Sequence, residues 1–179
     1  MAELLPEDDG VVNPKRTGLV RVLDGAVSWW ALSGGFVFVA LVIMSIISIV
    51  GRKLFSAPIE GDMELLMMGA AVGSAAFLPA CEMHDHHIKV DALTTWLSVR
   101  TRAVLDGVAH ALLMLAAGVI TWRTLLYTIE CHENMEVSAL LLIPLWQPVV
   151  LMVPSFALLA AAALYQTLTS AQLALGAQP

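Results

Sequence analysis

Charge is what this sequence has least of: Asp, Glu, Lys and Arg make up 13% of its 179 residues, against 59% hydrophobic. No charged side chain occurs between Asp24 and Arg52, and none from Val137 to Pro179. That shortage excludes an ordinary soluble domain, as does a mean hydropathy of +0.81. A helix rises about 1.5 Å per residue, so roughly 20 apolar residues cross a hydrocarbon core about 30 Å thick. The chain therefore reads as an all-α membrane protein, with the bilayer as its solvent.

Other absences narrow the reading. No cluster of Lys and Arg resembles a nucleic-acid patch, so nucleic acid is excluded as a partner. The start is acidic (Glu3, Glu7, Asp8, Asp9) where a secretory signal needs basic residues, and the first long apolar run is expected to remain as an anchor. Cys81 and Cys131 are the only cysteines. The topology below puts them at opposite membrane faces, beyond the roughly 7 Å between Cα atoms that a disulfide tolerates. No nucleophile with a base, phosphate-binding glycine loop or paired acid stands at a useful spacing, so no catalytic residue is assigned.

What is present is four crossings. Residues 1–22, with Pro6 and Pro14, read as a flexible cytoplasmic tail, 23–170 as a four-helix membrane domain, and 171–179 as a C-terminal tail. The spans are expected near Val27–Val50, Leu65–Cys81, Val104–Ile129 and Pro148–Leu168, the last kinked at Pro154. Between the second and third, Val90, Leu93, Trp96, Leu97 and Val104 recur at helical spacing, which predicts an amphipathic interfacial helix in contact with membrane lipids.

Orientation rests on Lys and Arg. Lys15, Arg16, Arg21, Lys89, Arg100 and Arg102 fall on the side of the termini, against Arg52, Lys53 and Arg123 on the other, which predicts both termini in the cytoplasm. The acidic Glu130, Glu133 and Glu136 then belong to the opposite face.

Three polar groups test for a bound metal or cofactor. Glu82, His84, Asp85, His86 and His87 are the densest set of potential ligands, but they lack the spacing of a metal site and read as a solvated helix-end connector. His110 is alone within a span and has no facing histidine for bis-imidazole haem ligation. It reads as an interhelical hydrogen bond or a group reaching the interface. Ser45, Ser48 and Ser74 read as hydroxyls satisfied by their own backbone. With every Asp and Glu at or outside a span end, the chain has no mid-membrane ligand for a coupling ion, and no cofactor or metal is expected on it. Gly69 and Gly73 form a small-xxx-small pair suited to close helix contact, within the chain or with a partner.

The stretch GRKLFSAPIEGDMELLMMG, followed by a small-residue helix, HIKVD and IPLWQP, resembles the small membrane subunit of tripartite ATP-independent periplasmic (TRAP) transporters, the DctQ type, over about residues 25–170. By that resemblance Arg52 closes the first span and Glu64 with Leu65 opens the second. His87, Ile88, Val90 and Asp91 enter the connector, and Pro144 with Trp146 make the turn before the last helix. The resemblance implies a non-catalytic scaffold subunit in a bacterial inner membrane. It would be bound to a large multi-span permease that carries a small organic acid with sodium, and served by a periplasmic substrate-binding protein. Two other classes compete: a membrane anchor or cytochrome-like subunit of an oxidoreductase, and a self-contained small transporter.

Overall fold

The computed structural model describes residues 18–56, 59–84 and 99–174. Four long helices account for nearly all of them: α1 (Gly18–Phe55), α2 (Asp62–Met83), α3 (Val99–Glu133) and α4 (Trp146–Ala174). Each contains a segment long and apolar enough to cross a membrane. The apolar runs mark the middles of these helices. Their ends lie further out: α1 takes in Asp24, and α4 begins at Trp146 and continues to Ala174. Of the interfacial helix expected between the second and third spans, Val90, Leu93, Trp96 and Leu97 lie outside the described residues, together with His87 and Asp91, and Val104 belongs to α3.

Local chemistry explains the boundaries. Arg52 and Lys53 occupy the last turn of α1, where cations offset the partial negative charge of the helix C-terminus. Gly61 takes φ 73° just before α2, a left-handed conformation that a side chain disfavours. Asp62 and Glu64 then fill the first turn of α2, where the dipole favours acids. Between α3 and α4 the chain doubles back: the Ser138 N–H donates to Ile143 O at 2.9 Å, the Leu145 N–H donates to Glu136 O at 3.0 Å, and Val137 pairs with Pro144 in an isolated antiparallel bridge. Pro148 sits in the first turn of α4, where its missing N–H costs little.

The helices form a row in the order α1, α2, α4, α3. Helix α1 packs on α2, α2 on α4 and α4 on α3, while α2 and α3 hardly touch. Small residues make the close approaches: Ala75 and Ala76 on α2, and Ser155, Ala162 and Ala163 on α4, are buried. Outward-facing surfaces are apolar, with Phe36, Val39, Ile43 and Ile47 of α1 and Leu112, Leu115 and Val119 of α3 all exposed. That pattern suits lipid or a protein neighbour as the surround and not water.

Candidate functional site

Two polar clusters tie the row together, one at each end. At the end where α1 finishes and α2 starts, Ser48 Oγ donates to Asp62 Oδ2 at 2.6 Å, and Arg52 Nη2 donates to the same oxygen at 3.2 Å. The other Asp62 oxygen accepts the Met63 N–H at 2.8 Å. Ser48 is thus bonded to the neighbouring helix, which corrects the expectation that it would be satisfied by its own backbone. A hydroxyl one turn before Arg52 lies on the same helical face, so both reach one carboxylate.

Two residues on, Glu64 holds the α3–α4 loop. Its Oε1 accepts the Leu140 N–H at 2.8 Å and its Oε2 accepts the Leu141 N–H at 3.1 Å. Gly61 makes the approach possible, since a Cβ there would stand 2.4 Å from Leu141 Cγ. On the same loop, Pro144 O accepts the Gln147 N–H at 3.2 Å, and Trp146 meets His132 edge-on with centroids 5.5 Å apart. The structure therefore brings Arg52, Glu64, Pro144 and Trp146 to one end of the bundle.

Gly69 and Gly73 lie lower on α2 and serve contact within the chain. A Cβ on Gly69 would come within 2.8 Å of Leu41, and one on Gly73 within 2.7 Å of Phe38, both on α1. Phe38 in turn stacks on Phe77 at 5.9 Å. Gly34 of α1 completes the seam, with Gly73 O 3.1 Å and Ala76 Cβ 2.8 Å from where its own Cβ would be.

The opposite end holds the group that the sequence reading misplaced. Glu82 is no solvated connector residue: it is fully buried, and its Oε1 lies 2.6 Å from His110 Nδ1. Helix α2 is the shortest of the four, so its last turn ends inside the row, between neighbours that continue past it. Gln166 of α4 donates from Nε2 to the carbonyls of Glu82 and Met83 at 3.2 and 3.3 Å, capping the end of α2. His84 turns Nδ1 to Ala80 O at 2.9 Å and Nε2 to Asp24 Oδ1 of α1 at 3.5 Å. All four helices thus contribute a polar side chain here.

His110 is the interhelical partner that one of its two sequence readings allowed. Glu82 was missed because an acid closing an uncharged run looks like a surface cap. The one sequence signal was the isolated imidazole within an apolar span, which needs a polar partner somewhere. Among the described residues no group of three or more His, Cys, Asp or Glu is arranged to hold a metal ion. His86 and His87 lie outside them.

The arrangement joins the four described helices to one another. It has polar fasteners at two ends, a glycine-lined seam between α1 and α2, and long apolar flanks on the two outermost helices. The family described as Tripartite ATP-independent periplasmic transporters, DctQ component, matches residues 41–173, well over half of the chain and including both Arg52 with Glu64 and Glu82 with His110. No curated relative and no solved structure matches the chain.

Proposed function

Since the chain belongs to the DctQ family of tripartite ATP-independent periplasmic transporters, we propose that it is a non-catalytic scaffold subunit that holds a large permease subunit in place. The open row carries this reading. Helices α1 and α3 form its outer edges, each packed on one side and each presenting a continuous apolar flank on the other. A flank of that length can cover a neighbouring helical protein within the membrane.

In the assembly the large subunit carries the substrate, a small organic acid, together with sodium. A periplasmic substrate-binding protein delivers the substrate to it. The excess of Lys and Arg on the side of the termini supports an orientation with both termini on the cytoplasmic side of a bacterial inner membrane, in which the loop that Glu64 pins, with Glu133 and Glu136 beside it, faces the delivering protein. The oxidoreductase reading is less well supported, because the group facing His110 across the bundle is the Glu82 carboxylate, where bis-imidazole ligation needs a second histidine.

Co-expression of a tagged chain with the large permease subunit tests the proposal. The two should co-purify, and uptake into proteoliposomes should need both subunits and the binding protein. Uptake by the large subunit at full rate without this chain would reject the scaffold role.

A further inference from the structure

On one flank of the α1–α2 hairpin, Ser45, Ile49, Arg52 and Lys53 face Asp62, Met63 and Leu66 across a groove of about 450 Å³. The four α1 positions are spaced to share a helical face. The two cations stand in the last turn of α1, at the mouth of the groove, while Ile49, Met63 and Leu66 line the part below. From Arg52 to Ser45 the helix runs about 10 Å, which is about two thirds of a hydrocarbon leaflet roughly 15 Å deep.

Charge selects the headgroup. The Asp62 carboxylate already receives the Ser48 hydroxyl, the Met63 N–H and one Arg52 nitrogen. The Arg52 side chain is 61% exposed, and a guanidinium carries five N–H donors in a fixed fork that matches phosphate oxygens. Lys53 beside it is exposed. The groove lining therefore holds two cations and one acid; Glu60, exposed in the connecting turn, does not line it. A larger groove of about 550 Å³ on α1, α2 and α4, lined by Leu41, Met44, Met68 and Leu151 among others, has Gln147 as its polar residue and no charge with which to choose a headgroup.

We propose that the smaller groove binds one anionic phospholipid, with its phosphate on Arg52 and Lys53 and an acyl chain laid along Ile49, Met63 and Leu66. The site lies at the start of α2, the end of that helix opposite Glu82 and Met83.

Native mass spectrometry of the full-length chain, purified with whatever it assembles with, tests the proposal by adding phosphatidylglycerol or phosphatidylcholine of identical acyl chains. One phosphatidylglycerol should bind in preference to phosphatidylcholine. Lys53→Gln should lower its occupancy about fivefold, the effect of one surface cation on an acidic lipid. Ile49→Trp, which fills the groove and keeps both cations, should lower it as well. Both variants leave the Arg52–Asp62 contact in place, and the distant Arg123→Gln should change nothing. Equal binding of the two lipids, occupancy unaffected by Lys53→Gln and Ile49→Trp, or displacement of the lipid by millimolar inorganic phosphate would each overturn the proposal. So would a protein neighbour that covers the groove and leaves no lipid there.

Discussion

His110 and Glu82 meet across the bundle, the imidazole Nδ1 2.6 Å from the Oε1 of a fully enclosed carboxylate. They fasten α2 to α3, two helices that otherwise hardly touch among the described residues. Removing either residue takes a close hydrogen-bonding partner from the other in a medium that solvates polar groups poorly. We expect Glu82→Ala or His110→Ala to destabilise the folded chain by about 3 kcal/mol. Replacing both residues should cost less than the sum of the single changes. A double-mutant cycle on unfolding in detergent measures this, and strict additivity would show that the two groups act independently.

The glycine seam gives an ordered set of effects. Gly34→Ala presses a methyl against the Gly73 carbonyl at 3.1 Å and Ala76 Cβ at 2.8 Å, neither of which can rotate away. Gly73→Ala and Gly69→Ala press on Phe38 and Leu41, side chains that can shift. All three should destabilise, with Gly34→Ala near the top of the range of about 1–3 kcal/mol typical of overpacking. Gly118→Ala, with nothing within 4 Å, should be neutral or slightly stabilising through helix propensity. Thermal midpoints of the four variants rank them.

Glu64 should act through the loop it holds. In Glu64→Ala the Leu140 and Leu141 N–H groups lose their acceptors, and hydrogen exchange at these two amides should accelerate severalfold while α2 stays protected. Glu64→Gln keeps one acceptor oxygen and should fall between the two. Unchanged exchange at both amides in the alanine variant would mean that the loop holds its shape without the carboxylate.

Topology can be read by thiol labelling, although the native Cys131 is a poor reporter. Cys131 is buried and lies within 3.5 Å of Glu136 Oε2, so the labelling site must be introduced elsewhere. In a chain with both cysteines replaced by Ser, Asn134→Cys in the exposed α3–α4 turn should react from the periplasmic face. Gln172→Cys, exposed near the end of α4, should react only from the cytoplasmic face. Reversed reactivity would invert the proposed orientation.

Transport makes the last prediction. If the coupling ion is bound by the large subunit, replacing any one Asp or Glu of this chain should leave the sodium dependence of uptake in place, provided that the complex still assembles. Loss of that dependence in an assembled complex would give this subunit an ion ligand and remove it from a purely scaffold role.

Length and hydropathy of the four runs are local properties, and they were enough to determine four helices able to cross a membrane and their order along the chain, while the order of short motifs gave the family likeness. The family resemblance pointed to the ends that turn, at Arg52, Glu64 and Pro144, and these are places where charges, glycine and proline act within a turn of their own position. What these readings left open was rotation about each helix axis. In a lipid environment the packed side and the outer side of a helix are both apolar, so no stripe of hydrophobic residues marks the inner face. Only the tertiary structure decided that Gly69 and Gly73 close on α1 and not on a partner, that Ser48 reaches Asp62, and that Glu82 is enclosed with His110. These pairings depend on how far each helix extends past its neighbour and on which face it turns inward, and both are set by contacts between residues far apart in the chain.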